Sequence, residues 1–98
     1  MSPINRRDIY QQAIDEWGLN SQIDMFIEEA AELIVALNHA RRGFWTTPLQ
    51  DQVIEELADV EIMLEQMRLI FGPDEVDQVK LRKALRLKDR IQERKLAS

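Results

Sequence analysis

The fold is decided by a long run that begins at Thr47 and continues to about Phe71, TPLQDQVIEELADVEIMLEQMRLIF. Its apolar residues leave little of a helical circumference polar, which is typical of a helix at the centre of a bundle. Thr47 followed by Pro48, with Gln50 three residues after Thr47, predicts a capping box and a helix start. We therefore expect a central helix of about 24 residues, roughly 36 Å long.

Helix breakers divide the chain into four helical segments. The predicted limits are Asn5 (as cap) to Trp17, about Gln22 (with Ser21 as cap) to Arg42, Thr47 to about Phe71, and from after Asp74 towards Leu96. Only 3 Gly and 3 Pro occur in the chain. We predict an all-α, four-helix subunit with a single domain over residues 1–98, whose second and third helices form a central antiparallel pair. Apolar residues on several helix faces need a partner, so we expect a helical-bundle homodimer or homotetramer.

Composition excludes several classes of function. The 98 residues carry 13 Lys+Arg and 18 Asp+Glu, a net charge of −5, which argues against binding to a nucleic-acid polymer. The chain has no Cys, which excludes disulfides and thiolate metal sites, and its single His39 argues against a histidine metal cage. No apolar run is long enough for a membrane span, and the start lacks the apolar stretch of a signal peptide. We therefore expect a cytoplasmic protein without a membrane partner.

Acidic runs interrupt the two most apolar helices: EEAAE at 28–32 and EELAD at 55–59. Each run places two carboxylates three positions apart, on one helix face. In an antiparallel hairpin, residues at one level have position numbers with a constant sum. That sum is 88 for Glu32 with Glu56 and also for Glu29 with Asp59. The spacing therefore permits four carboxylates to face one another.

Four carboxylates at such a position repel one another and lose hydration if they are partly buried. A divalent cation offsets both costs, and an all-oxygen ligand set favours Mg²⁺, with Mn²⁺ as the alternative. A solvated acidic face paired with nearby arginines is the other interpretation. No Glu-x-x-His motif of the di-iron kind is present.

The acidic spacing, Glu-Glu-x-x-Glu followed after 23 residues by Glu-x-x-Asp, resembles the signature of the MazG-like all-α nucleoside triphosphate pyrophosphohydrolases. The resemblance to the short, single-domain members covers about Trp17 to Arg90. It includes Trp17-Gly18, Gln22, Glu28–Leu33, Arg42-Gly43, Glu55–Asp59 and the tail Lys80-x-x-Lys83-x-x-Arg86-Leu87-x-x-Arg90.

This resemblance implies Mg²⁺-dependent hydrolysis of a (deoxy)nucleoside triphosphate between its α- and β-phosphates, which gives a nucleoside monophosphate and pyrophosphate. Its implied role is house-cleaning of the nucleotide pool. Carried over to this chain, Glu29, Glu32, Glu56 and Asp59 are the implied metal ligands. Glu28 is the implied catalytic residue, which orients or deprotonates the attacking water; its use as a further metal ligand, as in some relatives, is the alternative.

Basic residues on the fourth predicted helix are candidates for phosphate binding, since most share one face: Lys80, Lys83, Arg86 and Arg90. Cationic side chains there suit phosphate oxygens. A solvated basic face is the alternative interpretation.

Two residues are candidates for base binding. Trp17 offers a flat face for stacking on a nucleobase, and Gln22 offers an amide for its edge. A core position is the alternative for Trp17. Phe44 and Trp45, between the two acidic helices, fit either a lid or a subunit contact.

A second hypothesis comes from a different class of protein. A non-enzymatic helical dimerisation or interaction module explains the apolar helices and the density of charge. It does not explain carboxylates placed on the central helices.

Overall fold

The computed structural model describes residues 4–97, which form four α-helices and no strand. The helices are α1 (Arg6–Trp17), α2 (Leu19–Arg42), α3 (Thr47–Phe71) and α4 (Pro73–Ala97). The all-α, four-helix prediction is confirmed. Within this described part of the chain, no helix is long and apolar enough to cross a membrane.

The limits of α1 follow from its two flanking residues, as predicted. The side chain of Asn5 caps the helix by accepting a hydrogen bond from the backbone N–H of Asp8 at 3.3 Å. Gly18 ends it: at φ +89° it occupies a backbone region that L side chains rarely adopt, and its N–H donates to the carbonyl of Ile14. The chain can therefore change direction within a single residue.

The start of α2 differs from the prediction. Ser21 was expected to cap a helix from about Gln22, but α2 already begins at Leu19 and places Ser21 inside its first turn. Gly18 makes the turn alone, so the carbonyl of Gly18 accepts the first helical hydrogen bond, from the N–H of Gln22. The end at Gly43 is as predicted.

The start of α3 lies one residue from the prediction. Thr46, not Thr47, is the N-cap, and its side chain makes no capping hydrogen bond. The predicted capping box is therefore wrong: the side-chain amide of Gln50 donates instead to the carbonyl of Trp45. Phe44 and Trp45 hold φ values of 58° and 57°, and these two left-handed residues complete the turn.

Helices α2 and α3 pack as an antiparallel pair, and this pair forms the centre of the fold. Within residues 4–97, α3 alone contacts all three other helices, as its apolar circumference predicted. The buried side chains lie along this pair: Gln22, Ala36, Ala40, Val60, Met63 and Gln66. Steps of three and four residues separate most of them, so each helix contributes one stripe of side chains to the interface between α2 and α3. We call this interface the seam.

Helix α4 leaves the central pair soon after it begins. An ion pair of 2.8 Å joins Arg68 to Asp77, and every residue from 77 to 97 is exposed. The chain measures 53 × 37 × 33 Å and has a radius of gyration of 17.4 Å, against about 13 Å for a compact domain of 100 residues. We call residues 77–97 the α4 arm.

Candidate metal centre

Three carboxylates from the two central helices meet at one point. Glu29 and Glu32 of α2 and Glu56 of α3 each offer an oxygen, and these atoms all lie within 4.8 Å of one another. Glu29 and Glu32 are adjacent because three residues make almost one helical turn. Glu56 joins them because the short 43–46 turn fixes the antiparallel register.

Two oxygens of this cluster lie inside the seam without a partner. The Oε2 atoms of Glu29 and Glu56 are closed to solvent and accept no hydrogen bond from any residue in the range 4–97. The other oxygen of Glu56 accepts a hydrogen bond of 2.9 Å from the side-chain amide of Gln52. A buried carboxylate oxygen without a donor is costly, so the site lacks a positive or donating group.

The pKa of Glu29 reflects its burial and the negative charges around it. Burial raises the pKa of Glu29 above its ordinary 4.5, and the negative charges of Glu32, Asp59 and Glu56 raise it further. The nearby carboxyl of Glu32 acts in the same direction on this pKa, because a protonated Glu29 can donate a hydrogen bond to it. All these causes disfavour the charged form of Glu29, and a bound cation would oppose them.

The remaining two predicted acids lie outside the group of three. Asp59 is exposed and stands outside the group of three, although its charge reaches Glu29. Glu28 is also exposed. The carboxylate of Glu28 is therefore open to water, which is compatible with the role implied for it.

The predicted phosphate-binding residues are not brought to the acids within one chain. Lys80, Lys83, Arg86 and Arg90 are all exposed, and α4 does not contact α2 within the described range. Lys80 lines an open cavity of about 1030 Å³ together with Glu65 of α3. Glu65 follows Glu56 by nine positions, about two and a half turns, so this cavity lies on the opposite side of α3.

The predicted base-binding residues lie in two different environments. Trp17 is 65% exposed and borders a shallow depression on α1, whereas Gln22 is 4% exposed, inside the helix packing. Trp17 is therefore free to stack on a ligand, and the amide of Gln22 is covered. Two residues whose roles the sequence did not decide also lie at the surface. Phe44 is 90% exposed, and His39 is exposed in the last turn of α2.

Sequence reasoning missed two glutamines. Gln52 orients Glu56, and its position one turn before that acid was the available signal. Gln66 is 4% exposed, donates to the Sδ atom of Met63 at 3.8 Å, and leaves its buried Oε1 atom without a partner. The positions of Gln22 and Gln66 also add to 88, which places them at one level of the hairpin.

Comparison with known proteins gives no match: no family model, no curated protein and no solved structure matches this chain. The geometry alone therefore defines the class of site. It is a cluster of three carboxylates between two packed helices, with two oxygens withdrawn from water. An all-oxygen set of this kind has the chemistry that hard divalent cations require.

Proposed function

We propose that this protein is a Mg²⁺-dependent (deoxy)nucleoside triphosphate pyrophosphohydrolase, with Mn²⁺ as a possible substitute. It cleaves between the α- and β-phosphates and releases a nucleoside monophosphate and pyrophosphate, in the manner of the MazG-like enzymes that its acidic spacing resembles. The observation that carries the proposal is the pair of buried, unpartnered oxygens of Glu29 and Glu56, held near Glu32. House-cleaning of the nucleotide pool is the biological role that we assign to it.

In this proposal, each acid has a separate role. Glu29, Glu32 and Glu56 hold the cation, and Asp59 joins them from the rim. Bound Mg²⁺ supplies positive charge that neutralises phosphate oxygens and activates water. Glu28, which is exposed and directly precedes Glu29 in the sequence, orients the attacking water. Gln52 fixes the carboxylate of Glu56 through its 2.9 Å hydrogen bond.

The proposed reaction requires the protein to supply only a few functions. Hydrolysis of a phosphoanhydride needs placement of the nucleophile and neutralisation of charge more than a covalent intermediate. Because α4 does not contact α2 within residues 4–97, the cationic side chains of Lys80, Lys83, Arg86 and Arg90 would hold the polyphosphate only when supplied by a second copy of the chain. Trp17 would stack on the base. Gln22 is the candidate for the base edge, which requires its amide to become uncovered when substrate binds.

Turnover of a panel of (deoxy)nucleoside triphosphates with Mg²⁺ tests the proposal, with pyrophosphate and orthophosphate measured separately. We expect pyrophosphate from at least one substrate and its loss in Glu56→Gln. Glu65→Gln, an exposed acid on the opposite side of the same helix, is the matched control and should retain activity. A folded wild-type protein that is inactive across the panel, or that releases only orthophosphate, contradicts the proposal.

A non-catalytic interaction module is the second candidate function. The exposed α4 arm favours it, because an arm of this kind is suited to contact another chain. This candidate predicts no turnover and no shift of the melting temperature when Mg²⁺ is added. The same assay and a Mg²⁺ titration therefore separate the two functions.

A further inference from the structure

An open cavity of about 1030 Å³ lies between α1, α3 and the start of α4, on the side of α3 opposite the metal centre. Ligand pockets in proteins measure about 300–1,000 Å³, so this space is large enough for a small organic molecule. Its wall comes from three helices of one chain. None of the three carboxylates of the metal centre lines it, so it is a separate site.

The cavity concentrates basic side chains in a chain whose net charge is −5. Arg6, Arg7 and Lys80 line it, and none of these three makes an ion pair within the described part of the chain. A fourth basic residue of the wall, Arg68, is already paired with Asp77. The three unpaired cations come from two helices, α1 and α4, and an anion in the cavity would give them a partner.

The acidic residues of the wall limit the charge of a ligand in this cavity. Glu61 and Glu65 of α3 line the same cavity but form an ion pair with none of its basic residues, so the negative groups lie apart from the positive ones. A ligand with two distant anionic groups would be repelled by these carboxylates. A single anionic group on an otherwise uncharged molecule therefore fits the whole wall.

The rest of the wall suits a flat, apolar body. Tyr10 is half-buried and follows Arg6 by four positions and Arg7 by three, so its ring lies on the same face of α1 as the two arginines. Ile62 and Leu69 supply apolar surface from α3. An aromatic ring of this kind can stack on a nucleobase, and the neighbouring cations suit a phosphate group. The class of molecule that joins these two parts is a nucleoside monophosphate.

We propose that this cavity is a second nucleotide site, which holds a nucleoside monophosphate with its phosphate on Arg6 and Arg7 and its base against Tyr10. Lys80 adds positive charge from α4 of the same chain. Cations rather than carboxylates hold the phosphate, so binding needs no Mg²⁺. This inference does not rest on the proposed enzymatic function, because the cavity and the residues of its wall carry it alone.

Isothermal titration calorimetry in EDTA tests the proposal, with a panel of nucleoside monophosphates, the matching free nucleosides and inorganic phosphate as probes. We expect at least one monophosphate to bind more tightly than its nucleoside and than phosphate. Arg6→Gln plus Arg7→Gln should raise its dissociation constant at least about tenfold, because each arginine donates charge-assisted hydrogen bonds. The control, Lys88→Gln plus Arg94→Gln, removes the same charge from the exposed α4 arm outside the cavity. It should leave the constant nearly unchanged at physiological salt, which screens distant charges.

Two further variants locate the bound nucleotide and carry the test if the arginine variant does not fold. Glu32→Gln plus Glu56→Gln alters the metal centre and should bind the monophosphate as the wild type does. Tyr10→Leu should weaken monophosphate binding at least about fivefold, through lost stacking, and leave the affinity for inorganic phosphate unchanged. A folded wild type that binds no monophosphate at millimolar concentration overturns the proposal. So does binding that requires Mg²⁺ or is lost in the Glu32 and Glu56 variant, and so does a monophosphate that binds no more tightly than phosphate.

Discussion

The carboxyl groups of Glu32 on α2 and Glu56 on α3 offer oxygens that lie within 4.8 Å of each other, although 24 positions separate the two residues. Glu29 completes the group, so three negative groups are held together by the packing of two helices. The helix pair would be more stable if the group were neutralised. The stability of this protein should therefore depend on cations and on protons.

Addition of Mg²⁺ should raise the melting temperature of the wild type. A ligand that binds only the folded state stabilises it by about 2.7 kcal/mol at 100 times its dissociation constant, roughly 10 °C for a domain of this size. A thermal scan with and without Mg²⁺ measures the shift. Glu32→Gln plus Glu56→Gln should abolish it, and Glu65→Gln should preserve it. An equal shift in all three proteins would show that the ion binds elsewhere.

Without metal, stability should fall as the pH rises. The folded state binds the Glu29 proton more tightly than the unfolded state does, because the folded pKa is raised above 4.5. The folded protein therefore carries more protons between 4.5 and that raised pKa, and the free energy of unfolding decreases across this window. Urea denaturation in EDTA at several pH values measures the slope. Glu29→Gln should flatten it, and an unchanged slope would assign the titration to another group.

Gln52→Ala should weaken metal binding without removal of any ligand. Its amide fixes Glu56 from one turn away, and loss of such a supporting hydrogen bond costs about 10–100-fold in metal affinity. Mg²⁺-dependent activity should then need a higher Mg²⁺ concentration for half-saturation, while the maximal rate stays closer to that of the wild type. The control is Gln11→Ala, whose exposed amide contacts Asp15 on α1. Equal effects from both would contradict a role for Gln52 at the site.

Gln66→Met should stabilise the fold. The substitution keeps the length of the side chain and removes the buried Oε1 atom that has no partner, a group that costs about 1–3 kcal/mol. We expect an increase of about 1 kcal/mol in the free energy of unfolding, measured by urea denaturation. Gln92→Met, on the exposed α4 arm, is the control: it measures how the same substitution changes the free energy of unfolding at an exposed position. A loss of stability at Gln66 would reveal a hydrogen bond to its carbonyl oxygen.

Phe44→Gly should also stabilise the monomeric fold. Phe44 is 90% exposed and holds φ 58°, so it contributes little packing and occupies a backbone region that costs roughly 1–2 kcal/mol for an L side chain. Glycine adopts this conformation without that cost, and denaturation should show a gain of up to about 1 kcal/mol after its greater chain entropy is counted. Weaker self-association in this variant would instead identify Phe44 as a subunit contact.

Much of the fold could be predicted because its signals are local. Asn5, Gly18 and Gly43 mark helix ends through their own backbone or side-chain chemistry, and each end lies where the sequence placed it. It was also predictable that Glu32 and Glu56 lie opposite each other in the hairpin, since a short turn fixes the register of an antiparallel pair. Local rules were therefore enough for the all-α topology and for the meeting of the two acidic runs.

Errors arose where two local signals competed. Ser21 and Thr47 both have the chemistry of a cap, but Gly18 and the turn at Phe44 and Trp45 had already set the chain direction two or three residues earlier. The course of α4 could not be predicted either, because no local pattern tells whether a helix packs on its own chain. Whether α4 packs on its own chain depends on the distribution of charge and of apolar surface area over the whole molecule.

The register of the hairpin also limits which changes of length this gene can tolerate. A residue inserted at 43–46 would lengthen the turn that helps to set the register, but it would leave the side-chain stripe of each helix intact, so the same pairing of α2 with α3 would still be available. A residue inserted between Glu56 and Met63, which share the seam seven positions apart, would rotate one against the other by about 100°. Natural insertions and deletions should therefore accumulate at the tip and be absent from the middle of α3.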